Sequence, residues 1–169
     1  MATLYVLTGP PGVGKSTISK RLAESLSKSV LIEGDDIYNQ VISSHISPWK
    51  EGNHLDLFWR ISLLSIQEYL NEGYDVVFNY IIDPENFANI HNKISNPIRF
   101  VVLMVGEEEI IRRDQERVAD NRMGERCLKL LRQFQEYQYP KDFKLYTDSL
   151  SIEECVQEIK DDNRFMIGD

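Results

Sequence analysis

Apolar residues in this chain fall into short continuous runs separated by longer stretches in which they recur every three or four positions. Leu4-Tyr5-Val6-Leu7-Thr8 is the first such run, apolar and β-branched, and it predicts a buried strand. Ile18, Leu22 and Leu26 follow at a spacing of four, which predicts one face of a helix. Val30-Leu31-Ile32 predicts a second buried strand, ending at Glu33-Gly34-Asp35-Asp36. A polar region with helix signals continues to about Ile46, where Ser47-Pro48 breaks it. From His54 to Leu70 the pattern predicts a long helix with Leu55, Phe58, Trp59, Ile66, Tyr69 and Leu70 near one face. Leu57, Ile61 and Leu64 widen that face, and Gly73 supplies the stop.

The second half repeats the alternation. Val76 to Ile82 predicts a central strand, apolar on both faces. Asp83-Pro84 opens a helix, with aspartate as cap and proline at the first helical position, and Asn96-Pro97 closes it. Ile98 to Val105 predicts a fourth strand. Glu107, Glu108 and Glu109 begin a charged helix at the end where negative charge suits the dipole. After a polar interruption from Asn121 to Gly124, Cys127, Leu130, Leu131 and Phe134 mark a further helix. Lys144-Leu145-Tyr146-Thr147 predicts a weaker last strand. Ser151 with Glu154 gives a capping box for a final helix to about Lys160, with a polar, frayed tail from Asp161. Strand and helix alternate five times, the order of an α/β domain with a mostly parallel sheet. No linker, internal repeat or low-complexity stretch divides it, so residues 1–169 are expected to form a single domain.

The turn between the first strand and the first helix carries the strongest chemistry. Gly9-Pro10-Pro11-Gly12-Val13-Gly14-Lys15-Ser16-Thr17 matches G-x-x-x-x-G-K-[ST], the phosphate-binding loop, in the strand–loop–helix context that the motif requires. Pro10 and Pro11 have no N–H to donate. The useful donors are therefore the amides of 12–17, where glycine lets backbone approach a phosphate and the helix N-terminus favours an anion. Gly9, Gly12, Val13, Gly14, Lys15, Ser16 and Thr17 are the expected nucleotide-binding residues. Lys15 is expected on the β- and γ-phosphates of ATP, and the Ser16 hydroxyl on Mg²⁺.

Composition narrows the partners. Of 169 residues, 42% are hydrophobic and 27% charged, as in an ordinary globular domain. The net charge of −8 disfavours a long nucleic-acid partner, which would require clustered lysine and arginine. Cys127 and Cys155 have no metal-like spacing and are expected as reduced thiols in a cytoplasmic protein. Neither a leader nor an apolar run long enough to span a bilayer is apparent, so no membrane partner is expected. A monomer or a homodimer fits equally.

In open parallel sheets ligands bind beyond the carboxyl ends of the strands. Asp35 and Asp36 follow the second strand directly, where one carboxylate could take the proton of an acceptor hydroxyl while the other caps the helix. At the end of the third strand stands Asn79, where an aspartate would help position Mg²⁺. An amide can hydrogen-bond a metal-bound water but adds no charge. Arg112, Arg113, Arg117, Arg122 and Arg126 concentrate in a segment broken by Asn121 to Gly124, which reads as a mobile arginine-bearing lid over roughly 112–126. Arg117, Arg122 and Arg126 are the expected catalytic members. Interleaved acidic residues would instead make many of these arginines surface ion pairs. Trp49, His54 and Trp59 are candidates for an acceptor pocket, with Trp59 better read as core.

Together the loop Gly9–Thr17, the Asp35-Asp36 pair and the Arg112-Arg113-Asp114…Arg117…Met123-Gly124-Glu125-Arg126 segment resemble P-loop small-molecule kinases of the nucleoside-monophosphate-kinase-like group. Within it the chain looks like gluconate kinases, chloramphenicol phosphotransferases, tunicamycin-resistance proteins and the kinase half of polynucleotide kinases. The resemblance implies a three-layer fold, a five-stranded parallel sheet in the order 2-3-1-4-5 between helices, and an arginine-bearing helical lid. It also implies ATP- and Mg²⁺-dependent transfer of the γ-phosphoryl group to a hydroxyl of a small molecule such as a sugar acid or an antibiotic. The polynucleotide kinase pattern would make Asp35 the general base, and the chloramphenicol phosphotransferase pattern Asp36. Tyr146-Thr147-Asp148 resembles the segment that passes the adenine, and Asn79 departs from the aspartate of many relatives. Alternatives are a nucleoside or polynucleotide 5′-hydroxyl kinase and a nucleotide-binding module without transfer chemistry. A GTPase switch is set aside, because Asn92-Lys93-Ile94-Ser95 lacks the aspartate of the guanine-reading run.

Overall fold

The computed structural model describes residues 1–116 and 122–167. Five strands form one parallel sheet: β1 (Leu4–Thr8), β2 (Ser29–Glu33), β3 (Asp75–Asn79), β4 (Ile98–Met104) and β5 (Lys144–Tyr146), in the order β2-β3-β1-β4-β5. This is the expected order. The helices are α1 (Lys15–Ser25), α2 (Gly34–Tyr38), α3 (Leu55–Asn71), α4 (Pro84–Lys93), α5 (Glu107–Gln115), α6 (Glu125–Glu136) and α7 (Ile152–Asp161). Helix α1 packs against β1, β2 and β3 with α7 beside it, and α3 packs against β3; with the right-handed crossovers that parallel sheets adopt, this strand order sends α3 and α4 to the face opposite α1. The central strands β1 and β4 are buried along their whole length apart from Arg99, which accounts for their continuous apolar runs.

Local chemistry sets the helix ends. Asp83 caps α4 by accepting from the Asn86 N–H at 2.8 Å. Ser151 and Glu154 complete the capping box of α7. Gly73 ends α3 with a positive φ of 77°.

Four expectations change. The polar region after β2 is helical only through Tyr38; beyond it, 39–54 is a loop held by Tyr38, whose hydroxyl donates to the Ile46 carbonyl at 2.6 Å and whose ring stacks on His54 at 4.0 Å. The outer members of the α3 stripe, Leu57, Ile61 and Leu64, face solvent, because one helix face is enough to cover β3. Strand β3 stops at Asn79; beyond it the Tyr80 N–H still meets the Leu7 carbonyl, but the Ile82 N–H bonds the Thr8 side chain rather than backbone of β1. The C-terminal stretch is packed: Phe165 is fully buried, and the Ile167 N–H donates to the Ile98 carbonyl at 3.0 Å. No helix among the described residues is long and apolar enough to cross a membrane.

Candidate active site

Helices after β1 and β3 leave the sheet on opposite faces, and a crevice opens between these neighbouring strands. A cavity of about 410 Å³ lies there, lined by Pro11, Gly12, Gly14, Lys15, Ser16, Thr17, Asp35, Asn79, Tyr80, Ile81 and Arg113.

The loop between β1 and α1 forms its floor. A Cβ on Gly9 would stand 2.3 Å from the Leu103 carbonyl oxygen, so only glycine lets the loop leave β1 this close to β4. Gly14 precedes α1 in a left-handed conformation, and no side chain caps the helix, which leaves its first amides available to an anion. Gly9 and Val13 lie beneath the cavity rather than on it, and Val13 is fully buried. Lys15 arches back so that Nζ donates to the carbonyls of Gly9 at 2.9 Å and Pro10 at 3.0 Å.

Beside this floor three side chains form a polar cluster that the sequence only half disclosed. Asn79, almost fully buried, donates through Nδ2 to Glu33 Oε2 at 2.6 Å and to Ser16 Oγ at 3.2 Å. The Ser16 hydroxyl donates to the same Glu33 oxygen at 3.3 Å. Burial pushes the Glu33 carboxyl up, and repulsion from Asp36 and Asp35 adds to this, against the opposing hydrogen bond from Ser16 and the charge of Lys15. Sequence reasoning passed over Glu33 as an ordinary strand end. The available signal was its position at the end of the strand next to β3, in register with Asn79.

Asp35 is exposed and lines the cavity; Asp36, one residue on, is exposed but is not among the lining residues. Arg113 was another omission. Its Nη1 donates to the Val13 carbonyl at 3.1 Å, and its Nε pairs with Glu109 at 2.5 Å, which holds the guanidinium against the phosphate-binding loop. Arg112 faces outward into exposed pairs with Glu109 and Glu116. Arg117 lies outside the described residues. Arg122 and Arg126 are exposed and do not line the cavity; Arg126 stacks its guanidinium 3.8 Å from the ring centroid of Trp49. Trp59 is core, as expected, and His54 supports Tyr38. Asp148 accepts from the Gly106 N–H at 2.7 Å and so fixes the start of α5.

Ser16 and Glu33 offer hard oxygen donors side by side, and a cation would relieve the strain on the Glu33 charge. That donor set fits Mg²⁺. Among the described residues no three His, Cys, Asp or Glu side chains converge as a cage.

Fold and loop together define an α/β protein with a phosphate-binding loop between β1 and α1. The chain belongs to the AAA domain family (AAA_33), whose profile matches residues 4–139. Solved structures share the fold at low identity. A gluconokinase from Sinorhizobium meliloti is 22% identical, with 93% of this chain and 89% of that one covered and a TM-score of 0.65. A tunicamycin resistance protein from Deinococcus radiodurans is 18% identical, with 94% of each chain covered and a TM-score of 0.64. A shikimate kinase from Bacteroides thetaiotaomicron is 19% identical, with 93% and 96% covered and a TM-score of 0.65.

Proposed function

We propose that the protein is an ATP- and Mg²⁺-dependent phosphotransferase that moves the γ-phosphoryl group to a hydroxyl of a small molecule. The observation that carries this reading is that Asp35 faces the same cavity as Lys15, Ser16 and the uncapped start of α1. A module that only bound nucleotide would have no use for an exposed carboxylate opposite the phosphates. The fold shared with a gluconokinase, a shikimate kinase and a tunicamycin resistance protein is consistent with it.

In this reading the loop amides and Lys15 hold the β- and γ-phosphates, and Arg113 stabilises the transferring group from the other side. The acceptor oxygen bonds to the γ-phosphorus as the bond from that phosphorus to the β–γ bridging oxygen breaks. The hydroxyl proton passes to the Asp35 carboxylate, and ADP departs with the bridging oxygen. Ser16 and Glu33 would hold Mg²⁺, with Asn79 orienting both; when bound, the ion neutralises developing phosphate charge. The cation-binding role of Asn79 thereby becomes a positioning one, because its amide nitrogen faces both oxygens.

ADP release measured over sugars, sugar acids, nucleosides and antibiotics tests the proposal. One acceptor should raise the rate sharply. Asp35→Asn should lower that transfer by about 10²–10⁴-fold, and Asp36→Asn by no more than a few-fold. Nucleotide binding without transfer to any acceptor would sink the proposal in favour of the binding module.

A further inference from the structure

Among the described lining residues Tyr80 is the one aromatic side chain, and nothing in the phosphate chemistry uses it. It is 9% exposed, and its ring is held on several sides, by Phe58 at 4.4 Å and Trp59 at 5.8 Å between centroids and by the backbone of Gly34. The backbone beneath it is fixed as well. The Tyr80 N–H donates to the Leu7 carbonyl, the Ile82 N–H donates to Thr8 Oγ1 at 2.8 Å, and the Tyr139 hydroxyl donates to the Ile82 carbonyl at 2.7 Å. Yet the Tyr80 hydroxyl meets no hydrogen-bond partner among the described residues. It is not sealed in either: the unpartnered polar side-chain atoms shut away from solvent are the hydroxyls of Ser19 and Ser62. A phenol this deeply buried ordinarily finds a partner. Burial, followed by the charge of Asp35, which lines the same cavity, and by Tyr38, pushes the phenol up and keeps it a donor.

We infer that the Tyr80 hydroxyl is a specificity-determining donor for the acceptor, binding a second oxygen next to the hydroxyl that Asp35 receives, and that the acceptor is a polyhydroxy compound carrying such a vicinal diol. The inference rests on the phosphotransfer reading above. Its geometry comes from the lining. Lys15 is folded onto Gly9 and Pro10 and Arg113 is held on Val13, at the phosphate loop. Asp35, Tyr80 and Ile81 line the same cavity. A vicinal diol satisfies both polar groups, donating to Asp35 and accepting from Tyr80. Half-exposed Ile81 offers apolar surface to the C–H face of such a compound.

The test uses the full chain with cyclic polyols and glycosides, each beside its vicinal deoxy analogue. Wild type should prefer the diol to the deoxy compound by about tenfold or more. Tyr80→Phe, which keeps every ring contact, should lower kcat/KM for the diol about tenfold, chiefly through KM. It should also level the diol-to-deoxy ratio while leaving nucleotide affinity within twofold. A Tyr80→Phe enzyme that keeps the wild-type ratio, or a wild type that does not distinguish diol from deoxy compound, overturns the inference and leaves the phosphotransfer reading standing. Wild type that transfers to no acceptor at all overturns both.

Discussion

Glu33 and Asn79 end neighbouring parallel strands, stand opposite each other in register, and are joined by a 2.6 Å hydrogen bond from Asn79 Nδ2 to Glu33 Oε2. The carboxylate expected at the end of β3 is thus found one strand over. Asn79 supplies the geometry and Glu33 the charge, with Ser16 bound to both.

Glu33→Gln should therefore separate stability from function. Because burial raises the folded-state pKa of Glu33 above the ordinary 4.5, its ionised form opposes folding at neutral pH. The amide keeps an oxygen for Asn79 and has no charge. Thermal melting of the nucleotide-free variant at pH 7 should rise slightly, on the order of 1–2 °C. That advantage should vanish as the pH falls below 4.5, where the wild-type carboxyl is protonated in both states. The Mg²⁺ concentration for half-maximal activity should increase at the same time. A variant that melts lower at pH 7 would show that the carboxylate charge is stabilising instead.

Gly34→Ala places a methyl 2.5 Å from Cδ2 and 2.8 Å from Cγ of Tyr80. Either the first turn of α2 or the aromatic ring must shift. Denaturant unfolding should show a loss of about 1–3 kcal/mol. The same shift should raise the KM of the acceptor more than that of ATP.

Asp114, 6% exposed, accepts from the N–H of Met123 at 3.0 Å and of Gly124 at 2.8 Å, tying the end of α5 to the start of α6. Asp114→Ala should cost about 1–3 kcal/mol, because two amides lose a shared acceptor. Hydrogen exchange should show those two amides losing protection ahead of the sheet.

Arg113 and Arg112 are adjacent but not equivalent. Arg113→Ala should weaken ATP binding about tenfold in calorimetry, because it removes a guanidinium from the cavity wall. Arg112→Ala should leave affinity unchanged and stability within about 0.5 kcal/mol, since its ion pairs are exposed. Equal losses in the two variants would place the arginine function elsewhere on α5.

The five strands and the phosphate loop were legible in the sequence because each rests on a local signal: continuous apolar runs, and a glycine pattern fixed by backbone contact. The order of the strands came from the resemblance to P-loop kinases, since no local signal sets which strands pair. The C-terminal stretch was not legible, because it packs on β4, far away in the chain, where the Ile167 N–H finds the Ile98 carbonyl. Glu33 and Arg113 were missed for a related reason. A glutamate at a strand end and an arginine among acidic neighbours look alike wherever they occur, and only the partners Ser16, Asn79 and Val13 distinguish them. Arg126 carried a lid expectation, and its stacking on Trp49 depended on a loop whose path no periodicity describes.

The two tryptophans of the chain stand in opposite surroundings. Trp49 is 64% exposed beneath the Arg126 guanidinium, whereas Trp59 is 8% exposed against the ring of Tyr80. Nature has in effect fitted the protein with two optical probes, a red-emitting indole that senses the approach to α6 and a blue-emitting one behind the acceptor wall. Single-tryptophan variants would let fluorescence follow nucleotide and acceptor separately, without any added label.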